Sequence, residues 1–334
     1  MLAYVPYPSW MHPEIVPWLP IRWYGLMYLV AFVITYLLFT WQLRARKEKP
    51  QQDLVLDMFF WGIIGLLIGA RAFAVTIYDP SGYYLRHPLQ IILPVAMEGG
   101  RLRLTGIAGM SYHGGLVGAV VALAIFMRVR KLNVLDWGDM LVAGIPLGYT
   151  FGRLGNFING ELYGRITQVP WGMVFPNAEG FPANQPWVKD FANSVAMPVP
   201  ANGLVNLPRH PSQLYEAFFE GLVLWLIIWF IVRKRKPYNG FVIAWYMIGY
   251  GVFRFFIEYA REPDKGIGFP ITLVPVGPGQ FSWFNFTTGQ ILNVLLIAAA
   301  GIALTVFRAR AQRQPLPLDD MPRPSARKLR KKVK

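Results

Sequence analysis

Long apolar runs, most of them closed by a burst of basic residues, set the rhythm of this chain. Such runs lie near 22–43, 53–78, 108–127, 136–154, 213–232, 240–260 and 286–307. A helix that crosses a bilayer needs roughly 20 predominantly apolar residues. Each run is read as one such helix, the fourth being the least apolar. The pattern predicts an all-α, polytopic membrane protein with seven transmembrane helices. Residues 166–210 break the rhythm with many Pro, Asn and Gly. They read as a long external loop or small subdomain between the fourth and fifth helices. No internal repeat is visible.

Charge gives the pattern a direction. Basic clusters follow the odd-numbered runs: Arg44, Arg46, Lys47 and Lys49; then Arg128, Arg130 and Lys131; then Arg233, Lys234, Arg235 and Lys236; then ten Lys or Arg between Arg308 and Lys334. Lys/Arg excess marks the cytoplasmic side of a membrane protein, which predicts an external N-terminus and a cytoplasmic C-terminus. The net charge of +15 is then mostly topological, and no nucleic-acid partner is expected. Only 15% of residues are charged, against about 25% in soluble proteins. Residues 1–21 hold no Lys or Arg, so the first run lacks the basic leader of a cleaved signal sequence. The organisation expected is one membrane domain over 1–310 and a basic tail over 311–334, disordered and attracted to anionic membrane lipids.

The chain has no cysteine, which excludes disulfides and an enzyme thiolate. His12, His87, His113 and His210 lack close metal-ligand spacing. No metal and no cofactor are expected.

An ionisable side chain in lipid costs about 2.5–3.5 kcal/mol at mid-helix on insertion scales. Arg71, His113, Arg153, Glu161, Glu216, Arg254, Glu258 and Arg261 therefore each need a reason. In "GYGVFRFFIEYAR" (249–261), Tyr250, Arg254 and Glu258 recur every four residues on one helical face, with Arg261 one turn on. They suit either an ion pair between helices or recognition of a phosphate by Arg254. In "GRLGNFINGELYGR" (152–165), Arg153 and Asn156 share a side. The glycines there suit close helix packing or close ligand approach, but packing leaves Arg153 and Glu161 unexplained. "GMSYHGGLVGA" (109–119) places His113 at the start of a helix, as a structural hydrogen-bonder or a general base. "RHPSQLYE" (209–216) carries ordinary helix-entry signals. With the orientation above, most of these groups gather in the external half of the membrane.

Together these blocks resemble the prolipoprotein diacylglyceryl transferase family. "GRLGNFINGELYG" is similar to its signature, and "WYGLMY" (23–28), "MSYHGG" (110–115), "RHPSQLYE" and "YGVFRFFIEYAR" follow in the family's order, over about residues 20–305. The resemblance implies a multi-pass enzyme of the bacterial cytoplasmic membrane with its site toward the outer leaflet. It implies transfer of the diacylglyceryl group of phosphatidylglycerol to the thiol of the lipobox cysteine in a preprolipoprotein signal peptide. A thioether forms and sn-glycerol-1-phosphate leaves. On this reading Arg153 and Arg254 hold the phosphate and its developing charge, and His113 takes the thiol proton. Tyr24, Asn156, Glu161 and Tyr250 orient the headgroup, Glu258 and Glu161 fix the arginines with Arg261 beside them, and Gly164 permits close approach. One departure stands out. "RLRLTGIAG" (101–109) separates Gly99-Gly100 from Met110, as a surface hairpin extension or a contact for anionic headgroups or peptide. The rival readings are a small transporter, which would show repeats or broken helices in matching halves, and a non-catalytic protein that binds anionic lipid.

Overall fold

The computed structural model describes residues 4–16, 22–46, 52–77, 82–87, 91, 95–98, 101–104, 110–262, 268–277, 280 and 282–313. The tail from 314 and residues 105–109 of the insertion lie outside these. The main helices are α1 (Trp23–Arg44), α2 (Gln52–Thr76), α3 (Tyr112–Val129), α4 (Val134–Val142), α5 (Ile145–Ile158), α6 (Pro186–Ser194), α7 (Ser212–Arg235), α8 (Phe241–Ile257) and α9 (Thr288–Arg313). Among the described residues, five of them, α1, α2, α3, α7 and α9, are long and apolar enough to cross a membrane.

Two of the expected spans look different. The sixth corresponds to α8, an apolar helix of only 17 residues. The fourth, expected as one helix over 136–154, is broken into α4 and α5 by a turn at Ala143–Gly144. Pro146 in the first turn of α5 explains the break. It has no N–H to donate to the Val142 carbonyl, and its ring would collide with that oxygen in a continuous helix.

The described chain divides into two compact units, one made of the residues up to Phe39 and from Gly138 onward, the other of Thr40–Trp137. In the second unit α2 and α3 pack through paired glycines. A Cβ on Gly69 would stand 2.7 Å from the Cα of Gly118, and one on Gly118 would stand 2.8 Å from the Cα of Gly69. Gly65/Gly69 and Gly114/Gly118 repeat every four residues, the spacing that lets helix backbones touch in lipid. Asp57 pairs with Arg130 at 3.1 Å, and Arg46 grips Asp136 with two nitrogens at 2.6 and 2.9 Å. Val95–Glu98 and Arg101–Leu104 pair antiparallel as a hairpin, so the first residues of the insertion form a strand.

In the first unit α1 lies against α5, where added Cβ atoms on Gly148 and Gly155 would meet Ala31 O at 2.9 Å and Tyr24 Cα at 3.3 Å. Asp139 of α4 accepts the N–H groups of Gly240 and Ile243 at 2.8 and 2.9 Å and so caps the start of α8. Residues 166–210 have a core of their own, with Val188, Ala192, Val195 and Leu207 fully buried. Around it stand α6 and the short strand pair Phe181–Pro182 with Leu204–Val205.

Candidate functional site

The site is built where the end of α5, the first turns of α7 and the end of α8 meet inside the first unit. Helix α5 ends in a Schellman motif. The N–H of Gly160 donates to Phe157 O at 2.9 Å and that of Glu161 to Asn156 O at 3.1 Å. Gly160 takes the left-handed conformation this requires, with φ +64°. The reversal folds Glu161 back on the helix it has just left. Its Oε1 accepts from Asn156 Nδ2 at 3.0 Å and Asn159 Nδ2 at 3.2 Å. Asn156 in turn accepts from Arg153 Nη1 at 3.3 Å. Glu161 therefore acts on Asn156. Its link to Arg153 runs through that asparagine.

The following loop is fastened from the start of α7. Ser212 Oγ donates to Leu162 O at 3.1 Å and Gln213 Nε2 to Glu161 O at 2.6 Å. Gly164 donates its N–H to His210 O at 2.8 Å. A Cβ there would meet His210 at 3.0 Å and press harder still on the Ala260 carbonyl. The close approach allowed by Gly164 is between its own backbone and two neighbouring chain segments. "RHPSQLYE" thus does more than begin a helix. It holds the signature loop in place.

At the centre is Glu216, fully buried. Its Oε2 lies 2.8 Å from Arg153 Nε and 3.3 Å from Arg254 Nη1, and its Oε1 lies 2.6 Å from Arg261 Nη1. Glu220, one turn on and also buried, lies 3.8 Å from Arg254 Nη1. Glu258 completes the ring, with Oε2 at 3.3 Å from Arg254 Nε and 3.5 Å from Arg261 Nε. Tyr149 reaches both α7 carboxylates, donating toward Glu220 at 2.5 Å and Glu216 at 3.2 Å. The Arg153 guanidinium lies over the Tyr149 ring at 4.8 Å, and Tyr250 meets that ring edge-on at 6.2 Å. Both acids of α7 fall in a π-helical stretch, Glu216–Val223. Such widened turns recur at functional sites.

A buried carboxylate needs compensation, and here three arginines and three glutamates supply it mutually. Compensation is complete in formal charge but not in hydrogen bonding. Arg254 Nη1 and Arg261 Nε are buried without an aligned acceptor among the described residues, although each lies within ion-pair distance of a glutamate. They face Glu220 Oε1 and Glu258 Oε2, carboxylate oxygens that likewise lack an aligned donor.

The other expected site residues fall as follows. Tyr24 donates its hydroxyl proton to the Tyr28 hydroxyl at 2.9 Å and lies within electrostatic reach of Arg153 and Glu161. His113 is exposed on the first turn of α3, in the second unit. There Ser111 caps α3 by accepting the Gly114 N–H at 3.1 Å, and Gly114 and Gly115 face α2. The glycines of "YHGG" therefore serve helix packing. The structure thus joins Arg153, Asn156, Glu161, Arg254, Glu258 and Arg261 in one network.

Sequence reasoning missed Tyr149 and Glu220 and left Glu216 with an ordinary role. The available signal was "EAFFE", two acids four apart in an apolar helix.

Outside the spans, His210 is pushed down to about 4, by burial first and then by the cation of Arg165. Trp171 Nε1, a donor only, is 2.7 Å from Tyr215 Oη, and that oxygen is 3.2 Å from His210 Nδ1. The tyrosine hydroxyl thus links Trp171 to the imidazole of His210.

Comparison with known proteins shows which family the chain resembles over most of its length. The family model for prolipoprotein diacylglyceryl transferase matches residues 13–307. The phosphatidylglycerol–prolipoprotein diacylglyceryl transferase of Treponema denticola is 48% identical, with 92% of this chain and 95% of the relative covered. That of Treponema pallidum is 49% identical over 90% of this chain and 93% of the relative. That of Chlorobaculum tepidum is 42% identical, covering 90% and 91%.

Proposed function

The chain belongs to the prolipoprotein diacylglyceryl transferase family, and we propose that the arginines around Glu216 are where it binds the phosphate of phosphatidylglycerol and stabilises its departure. The activity is transfer of a diacylglyceryl group to a prolipoprotein, the first step of lipoprotein maturation. In the reaction the thiol of the lipobox cysteine attacks the glyceryl carbon esterified to phosphate. The C–O bond breaks, a C–S bond forms, and glycerol 1-phosphate leaves carrying the electron pair.

The observation that supports this reading is the convergence of three guanidinium groups on one buried carboxylate, with Arg153 held further by Asn156 and the Tyr149 ring. A phosphodiester carries one negative charge, and its leaving group gains a second as the bond breaks. Preorganised cationic donors with no reorganisation to undergo stabilise that change most. Arg153 is held by Glu216, Asn156 and the face of Tyr149. Arg254 is held by Glu216 and Glu258. Both keep fixed orientations before substrate arrives. Asn156, Glu161, Tyr24 and Tyr250 orient the headgroup. His113 takes the thiol proton. Its support is its place in the "MSYHGG" block, its exposure at the head of α3, and the ordinary fitness of imidazole for that step. With no cysteine in the chain, the thioether forms directly on the substrate.

For topology, the basic clusters support seven crossings of the bacterial cytoplasmic membrane, the fourth made by α4 and α5 in tandem and the sixth by α8. They favour an N-terminus outside, a tail in the cytoplasm and a cluster toward the outer leaflet.

The test uses purified full-length protein, phosphatidylglycerol and a peptide bearing a lipobox cysteine. A mass gain of one diacylglyceryl group on the cysteine, matched by release of glycerol phosphate, is the expected result. Neither product from well-folded protein would refute the reading.

A further inference from the structure

Glu258 touches two of the arginines, yet its own orientation is set from the opposite side, by the start of α9. We infer that Thr287 is a positioning residue for Arg254 and Arg261, acting through Glu258. The inference rests on the functional reading above.

Helix α9 begins with "TTGQ" (287–290), and its side chains close a reciprocal capping box. The Thr287 N–H donates to Gln290 Oε1 at 3.0 Å, and the Gln290 N–H donates to Thr287 Oγ1 at 3.2 Å. Gln290 Nε2 also donates to Phe255 O at 3.3 Å, tying the cap to α8. The Thr287 hydroxyl accepts from the helix and so has its one proton left to give. It faces Glu258 Oε1 at 3.2 Å. A carboxylate accepts only, so the direction of that bond is fixed. Thr287 and Gln290 are both buried.

Gly289 completes the clamp. A Cβ there would stand 2.7 Å from Glu258 Oε1 and 2.8 Å from its Cδ. Glycine lets the carboxylate lie against the first turn of α9, where the helix dipole favours an anion. With Oε1 committed to α9, Oε2 is the oxygen turned to Arg254 and Arg261. Without the clamp, the Glu258 side chain could rotate, and both guanidinium groups would lose one side of their support. A misplacement of this size costs rate because the arginines must meet the phosphate in one geometry.

The experiment compares full-length Thr287→Val, Thr287→Ser and Gly289→Ala with the unsubstituted protein. Phosphatidylglycerol micelles and a lipobox peptide are the substrates, and kcat, KM and thermal midpoint are measured for each. Asp139→Ala, which uncaps the far end of α8, controls for simple loosening. Thr287→Val and Gly289→Ala are expected to lower kcat about 10- to 100-fold, more than they raise KM. Thr287→Ser keeps both bonds and stays within about twofold of the unsubstituted kcat. Asp139→Ala lowers the thermal midpoint but keeps kcat. Retention of kcat by both Thr287→Val and Gly289→Ala overturns the inference alone. So does an equal loss in Asp139→Ala at matched stability. An unsubstituted protein that transfers no diacylglyceryl group overturns the functional reading and, with it, this inference.

Discussion

The seam between α2 and α3 and the cluster between α5, α7 and α8 solve one problem in opposite ways. Both must hold helices together where apolar side chains gain little by leaving lipid for protein. The α2–α3 seam does so by removing side chains. Gly65, Gly69, Gly114 and Gly118 bring two backbones into contact, and the gain is dispersion. The cluster instead buries Arg153, Arg254 and Arg261 around Glu216, Glu220 and Glu258. Apolar packing would hold those helices as well, since buried ion pairs are no better for stability than well-packed hydrophobes. A glycine seam explains stability. A charge cluster adds no stability over such a seam and suits the phosphate-binding role proposed above.

Substitutions separate these two roles, and the largest effects belong to the cluster. Arg153→Lys keeps the charge but cannot meet Glu216, Asn156 and the Tyr149 face together. Transfer is expected to fall about 100- to 1,000-fold, the cost of losing one preorganised donor, with little change in thermal midpoint. A near-normal rate would make Arg153 a structural partner. His113→Gln follows, with a loss on the order of 100-fold or more that shrinks as pH rises and the peptide thiol ionises without help. A defect of constant size across pH would assign His113 to positioning instead.

The seam should answer in stability. Gly69→Ala puts a methyl group against the Gly118 backbone and is expected to cost about 1–3 kcal/mol, read from denaturation in micelles. Rate per folded molecule should be preserved. If rate fell with stability intact, the division between seam and cluster would fail.

The smallest effect concerns His210. Burial and the cation of Arg165 push its folded pKa down to about 4, whereas the unfolded chain takes a proton near the ordinary value of 6.5. Between these values the unfolded state binds more protons, so stability rises with pH across that window. This contribution is complete above 6.5 and lost as pH falls through about 4. His210→Gln should flatten that part of a stability–pH curve, and an unchanged slope would remove His210 as its source.

Much of this was legible beforehand, for identifiable reasons. A bilayer imposes a length and a composition on its helices, so α1, α2, α3, α7 and α9 announce themselves. Pro146 was visible in the fourth run, but an apolar count over 136–154 does not register a missing N–H. Arg153, Arg254, Glu258 and Arg261 stood out because charge inside an apolar run demands a partner. Glu220 carried the same signal and was overlooked beside Glu216. Gly160 was readable as a helix terminator, whereas its consequence, Glu161 turned back onto Asn156, was not.

The sequence by itself determined that this is a helical membrane protein and which family it belongs to. Hydropathy and short motifs are local properties. Only the tertiary structure decided that three arginines from residues 153, 254 and 261 converge on one carboxylate at 216, and that Thr287 before α9 hydrogen-bonds Glu258 beside them. Ion-pair geometry depends on which helices lie side by side, and no spacing along the chain encodes that.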